Sequence, residues 1–195
     1  MQLVFATNNI DKIKEVQALI PEYIKLLSLH DIGCLEDIPE TQDTIAGNAI
    51  QKANYVKLNY GYDCFADDTG LEVFALNSEP GVYSARYAGP EKNADENMDK
   101  LLKNLVDISN REAQFKTVIA LQISSIEHVF TGICEGAITK DKVGNKGFGY
   151  DPIFKPKGYN QTFAEMDLTL KNQISHRGKA MSQLVSFLNT ISNKK

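Results

Sequence analysis

Cysteine is scarce here and badly placed for chemistry. Cys34, Cys64 and Cys134 are odd in number, far apart and without metal-ligand spacing. They read as reduced, small core residues. Histidine is as sparse: His30, His128 and His176 are scattered and indicate no zinc site. Positive charge is in deficit, with a formal net charge of −4. That argues against a general nucleic-acid-binding surface and leaves room only for a local basic pocket. No apolar run approaches the length of a membrane span, and Met1 leads into a strand-like Gln2-Leu3-Val4-Phe5-Ala6 rather than a signal peptide. A cytoplasmic protein without nucleic-acid or membrane partners is the expectation. Repeats, low-complexity tracts and linkers are missing too.

What remains is ordinary globular composition, 43% hydrophobic and 24% charged over 195 residues. This length suits a single domain, 1–195, with room for two lobes on one sheet. Strand and helix patterns alternate, which predicts an α/β fold. Gln2 to Ala6 reads as a buried strand. Ile10, Ile13, Val16, Ala18, Leu19 and Ile20 then recur at helical spacing until Pro21. Ile24 to Ser28 reads as a second strand, followed by a polar segment from His30 to Asp43. Asp43 or Thr44 can cap a helix with Ile45, Ala49, Ala53 and Val56 on one face. Asn77 to Gly89 is loop-like around Pro80-Gly81. A helix follows from about Ala94 to Val106. Phe115 to Ile123 and His128 to Thr139 read as two long strands joined in a hairpin. A last helix runs from about Gly178 to Ile191 with Met181, Leu184, Val185, Leu188 and Ile191 as its buried stripe, and Asn193-Lys194-Lys195 should fray.

The chemistry is expected around Asp63-Cys64-Phe65-Ala66-Asp67-Asp68-Thr69-Gly70-Leu71-Glu72-Val73. Both ends look like strands, and two adjacent carboxylates work against strand propensity between them. Such local violations tend to fall at functional sites. Successive strand residues point to opposite faces, so one aspartate should act while the other braces it. An Asp-rich turn between two strands would read the same way.

Three further stretches can carry a ligand. Thr7-Asn8-Asn9-Ile10-Asp11-Lys12 passes from strand to helix, where free amides, the helix dipole and Lys12 favour an anion. It is not a Walker loop, and a plain helix cap with an exposed lysine would look alike. In Gly147-Phe148-Gly149-Tyr150-Asp151, the flanking glycines leave the Phe148 ring clear as a platform for a planar base, with Asp151 a hydrogen-bond acceptor. A glycine-rich turn around a buried aromatic is the structural alternative. Lys171 to Lys179 gathers cations ahead of the last helix, which fits a ligand contact or a solvated charged loop. Glu40, Asp67, Asp68 and Glu72 suit a hard divalent cation such as Mg²⁺. Lys12, Lys52, Lys171 and Arg177 suit phosphate oxygens. A metal site, a phosphate site and an aromatic platform together describe a nucleoside triphosphate.

These stretches resemble, in order and over nearly the whole chain, the inosine triphosphate pyrophosphatase (HAM1) family. The motifs are Thr7-Asn8-Asn9 with Lys12, Glu40 with Thr44, Asn48-Ala49 and Lys52-Ala53, then Ala66 to Leu71, Pro80 to Tyr87, Gly147 to Phe154, and Ile174 to Arg177. Gly47 departs from a common glutamate and Gln42 from a common glycine. The resemblance implies a long, curved mixed sheet with flanking helices and two lobes around a central cleft. It also implies a homodimer that converts ITP, dITP and XTP to monophosphate and pyrophosphate with Mg²⁺. On this reading Asp68 is the general base, and Glu40 and Asp68 hold Mg²⁺. The substrate contacts are Thr7, Asn8, Asn9, Ile10, Asp11, Lys12, Lys52, Thr69, Phe148, Gly149, Tyr150, Asp151, Lys171, His176 and Arg177. Donors from Arg177, His176 or loop amides would accept a 6-oxo purine and reject a 6-amino one. Two other classes compete: a phosphatase with Asp67 as nucleophile, and a nucleotide-binding module without catalysis.

Overall fold

The alternating pattern resolves into seven strands and five α-helices among residues 1–192, the range described by a computed structural model. The expected fraying of Asn193-Lys194-Lys195 concerns residues outside that range. The strands are β1 (Gln2–Phe5), β2 (Lys25–Leu27), β3 (Cys64–Val73), β4 (Glu79–Gly81), β5 (Glu112–Ile123), β6 (Ile126–Ile138) and β7 (Phe154–Pro156). They form one mixed sheet in the order β2-β1-β3-β5-β6-β7, with β4 paired to β3. β1 is parallel to β2 and β3, while β4 and β7 are antiparallel to β3 and β6. The helices are α1 (Ile10–Gln17), α2 (Ile45–Tyr60), α3 (Ala94–Asn104), α4 (Leu168–Ile174) and α5 (His176–Ser192). The expected α/β class with a mixed sheet is the observed one.

The chain divides into two compact units. The first holds Met1–Asp68, Thr117–Gly132 and the chain from Arg177 on. Its core packs Leu3, Phe5, Val16, Phe65, Ile119, Met181, Leu184 and Leu188, so the last helix buries its apolar stripe as the spacing required. The second holds Thr69–Lys116 and Ile133–His176, around Leu71, Leu101, Leu105, Phe115, Ile153, Phe154 and Phe163.

In the first unit, register positions the chemistry. β1 has a parallel neighbour on each side and buries Leu3, Val4 and Phe5 as one continuous apolar run, the pattern of a strand covered on both faces. Phe5 pairs with Phe65, and their rings stack at 4.6 Å. This fixes β3 so that Asp67, two residues on, shares the face of Phe65 and the α1 and α5 core. Cys64 lies on the other face, its thiol donating to the Ala53 carbonyl of α2. Asp68 follows on that α2 side.

Three sequence expectations change. β3 runs unbroken through Asp67-Asp68-Thr69-Gly70 instead of turning there. The carboxylates have specific cationic partners, so low strand propensity is overridden by tertiary contacts. Pro80-Gly81 belongs to β4, folded back on β3 through Asn77 and Ser78 in left-handed backbone (φ 53° and 67°). The charged stretch before the last helix contains α4, capped by Asp167 accepting from the Leu170 amide at 2.8 Å. Its Lys171 and Asn172 are buried rather than solvated. The cysteines are free and buried, as expected.

Candidate active site

The two adjacent aspartates of β3 have separate sets of partners. Asp67 is almost fully buried, at 1% exposure. It accepts from Lys12 Nζ at 2.8 Å and Arg177 Nε at 3.0 Å, and Arg177 Nη1 in turn donates to Glu15. Lys12 and Glu15 are one turn apart on α1, while Arg177 opens α5. Burial alone would raise the Asp67 pKa, but Lys12, Arg177 and Lys52 outweigh it and hold the carboxyl below the usual aspartate range. Lys12 moves down as well: burial lowers it, Asp67 opposes, and Lys52 and Arg177 add repulsion. This is a neutralising chain of two cations and two anions. Removing any one member would strand a buried charge, at a cost of about 3–5 kcal/mol.

Asp68 sits differently. Its side chain is 13% exposed and faces Lys52 Nζ at 3.5 Å and Asn48 Nδ2 at 3.3 Å. Glu40 joins from the loop before α2, with its Oε1 2.5 Å from the same Lys52 ammonium. Burial raises the Asp68 pKa, and Glu40 and Asp67 add to the rise against Lys52 and Lys12. Burial lowers Lys52, yet Asp68, Glu40 and Asp67 together overcome it and raise its pKa. Asp67 is thus a firmly ionised brace. Asp68 keeps appreciable proton affinity and loose contacts, the properties of a general base.

These surroundings also accommodate a hard cation. Glu40 and Asp68 already converge on one positive centre, the Lys52 ammonium. Among the described residues no group of three or more His, Cys, Asp and Glu forms a cage. Two carboxylates without a cage fit Mg²⁺, which usually takes one or two carboxylates and completes its shell with waters and substrate phosphates.

At the strand-to-helix turn, Asn9 Oδ1 accepts from the amides of Asp11 and Lys12 at 3.0 and 3.1 Å, and Thr7 Oγ1 accepts from the Asn9 amide at 3.2 Å. The first-turn amides expected to be free for an anion are therefore capped by the protein. Asn8, Asn9 and Ile10 are exposed, and Lys12 supplies the charge here.

The second unit holds the remaining candidates. Thr69 is half-buried in β3. Asp151, expected as a ligand acceptor, anchors its own loop: Oδ2 accepts from the Phe148 amide at 2.8 Å and from Lys171 Nζ at 2.6 Å. Gly147 is required for this close approach, since a Cβ there would lie 2.0 Å from the same oxygen, on backbone with φ 72°. Gly149 also has left-handed backbone, with φ 62°. Lys171 is buried against Asp151, with its ammonium 5.0 Å from the Phe148 ring centre. Tyr150 is buried and donates to the Ser84 carbonyl at 2.8 Å. His176 stacks on Phe115 at 4.4 Å inside the core.

Arg177 donates from Nε to Asp67 and from Nη1 to Glu15, which uses two of the five N–H donors of its guanidinium. Asp67 is poorly placed as a nucleophile, with both oxygens engaged. Sequence reading missed Glu15, although its i+3 spacing from Lys12 on a helix was a usable signal. It also gave Asn48 no role beyond its motif.

The sequence pattern of the Ham1 family matches residues 3–187. The chain is 64% identical over 188 residues to the dITP/XTP pyrophosphatase of Flavobacterium johnsoniae, covering 96% of this chain and 98% of that one. The structure of the Staphylococcus aureus Ham1 protein matches with a TM-score of 0.89 at 39% identity, over 97% of this chain and 99% of that one. A HAM1 protein from Coxiella burnetii matches with 0.90 at 40% identity and the same coverage.

Proposed function

Since the chain belongs to the Ham1 family, we propose that it is a Mg²⁺-dependent nucleoside-triphosphate pyrophosphatase acting on non-canonical purine nucleotides. ITP, dITP and XTP are the proposed substrates, with the monophosphate and pyrophosphate as products. The name carried by its Flavobacterium relative supports the substrate class. The observation that carries the chemistry is the division of labour in β3, with Asp67 locked between Lys12 and Arg177 and Asp68 left with raised proton affinity beside Lys52.

Asp68 takes a proton from water as the water oxygen bonds to the α-phosphorus. The bond from that phosphorus to the bridging oxygen breaks, and pyrophosphate leaves in one step. Lys12 and Lys52 stabilise charge that builds on the phosphate oxygens. Glu40 and Asp68 would hold Mg²⁺, which when bound offsets triphosphate charge and makes water a better nucleophile. Phe148, braced by Asp151 and Lys171, is assigned to base stacking. The family resemblance supports a cytoplasmic homodimer.

Incubating ITP with the protein and Mg²⁺ tests this reading. IMP plus pyrophosphate is expected. IDP plus phosphate overturns it, and binding without turnover would favour a nucleotide-binding module.

A further inference from the structure

Glu40 lies on a loop without regular secondary structure, yet the reaction proposed above needs it at a set distance from Asp68. What holds it is one face of α2. Gln51 Oε1 accepts from the backbone amide of Thr41 at 3.0 Å, and Gln51 Nε2 donates to the Thr41 hydroxyl at 2.9 Å. Thr41 is the next residue after Glu40. Asn48 Oδ1 accepts from the Gln42 amide at 2.9 Å while its Nδ2 donates to Asp68, so one amide spans the loop and the base. Upstream of Glu40, Glu36 Oε1 accepts from Tyr55 and Tyr60 hydroxyls at 2.8 and 2.6 Å. Asn48, Gln51, Lys52 and Tyr55 follow i, i+3, i+4, i+7 spacing, a single polar stripe. The loop also packs tightly on the first turn of α2, since a Cβ at Gly47 would lie 2.7 Å from Gln42 Cβ.

We propose that Gln51 is a positioning residue that, through its paired hydrogen bonds to Thr41, sets where the Glu40 carboxylate meets a divalent cation. Its side-chain hydrogen bonds go to Thr41, the neighbour of Glu40. The inference rests on the assignment of Glu40 and Asp68 as the cation's carboxylates. Releasing Thr41 lets Glu40 sample positions off the shared centre. The cation affinity should fall, while the proton-transfer step, run by Asp68, should not change once the cation saturates.

The test compares the wild type with Gln51→Ala in two measurements. Calorimetric titration of Mg²⁺ in the presence of ITP carrying a non-hydrolysable α,β-bridge needs no turnover. Pyrophosphate release against Mg²⁺ concentration gives kcat at saturation. The expected result is a five- to tenfold rise in the Mg²⁺ dissociation constant with kcat within twofold of wild type. A Mg²⁺ dissociation constant within twofold of wild type, with only Tm lowered, overturns the proposal by making Gln51 a general structural residue. So does a tenfold fall in kcat at saturating Mg²⁺. Thr41→Ala supplies a second arm: it removes only the hydroxyl half of the pair, so adding it to Gln51→Ala should change Mg²⁺ binding little beyond Gln51→Ala alone. Full additivity refutes the pairing. If wild-type protein binds Mg²⁺ but yields no pyrophosphate from ITP, the functional reading fails while the calorimetric comparison still decides on Gln51.

Discussion

Asp67→Asn and Asp68→Asn are isosteric changes one residue apart, and the structure requires opposite consequences. Asp67 has a depressed folded pKa. Its contribution to stability is complete above the unfolded aspartate value of about 3.9 and is lost as pH falls through the lower folded value. At neutral pH that contribution is fully present. The amide leaves Lys12 and Arg177 with one carboxylate, Glu15, between them in a buried setting. Breaking a buried ion pair in this way costs about 3–5 kcal/mol. For a chain of this size, about 2–4 °C per kcal/mol gives a Tm loss of roughly 6–20 °C. Asp68 is the reverse case: its folded pKa is raised, so its ionised form is disfavoured and withdraws stability above that pKa. Asp68→Asn should therefore leave Tm at or slightly above the wild-type value. Its pyrophosphate release should nevertheless fall by about 10²–10⁴, the usual contribution of a general base. Calorimetric scans at pH 7 paired with a pyrophosphate assay separate the two. Equal Tm losses in both variants, or a rate loss in Asp68→Asn below about tenfold, would refute the division into brace and base.

Four further outcomes follow from the same contacts. In Mg²⁺-free protein Lys52→Met should raise the pH at which Asp68 protonates, because it removes the strongest cation holding that carboxylate ionised; a carboxyl NMR titration that stays put removes Lys52 from that role. Phe148→Ala should weaken ITP, XTP and ATP alike by about 1–3 kcal/mol, since stacking ignores exocyclic groups; loss confined to ITP, read from binding isotherms, removes the platform assignment. Arg177→Lys should lower Tm and reduce kcat/KM for ITP and ATP together, because an ammonium cannot reproduce the two-carboxylate fork; a selective loss for ITP would return Arg177 to the base. Gly47→Ala should cost about 1–3 kcal/mol by urea unfolding through its clash with Gln42, and Gln42→Gly should relieve most of that cost.

Side chains at 42 and 47 compete for one space, so glutamine at the first accompanies glycine at the second.

The signal ahead of α2 left Asp43 and Thr44 open as its cap, while periodicity by itself determined the alternation of strand and helix and the stripe of the last helix. Each of these is a local pattern whose burial repeats every two or 3.6 residues. Motif order determined the family, and strand alternation determined that Asp67 and Asp68 would face opposite sides. Tertiary structure decided which partners each has. Only the Phe5–Phe65 register assigns Asp67 to the α1 and α5 face and Asp68 to the α2 face. It also decided that β3 continues through its carboxylates, since the partners of Asp67 come from 55 and 110 positions away in sequence. The cations of the 171–177 stretch were legible as charge but not as engaged charge. Lys171 turns to Asp151, and Arg177 to Glu15 and Asp67, because a buried cation is stable only against a carboxylate that no local pattern announces.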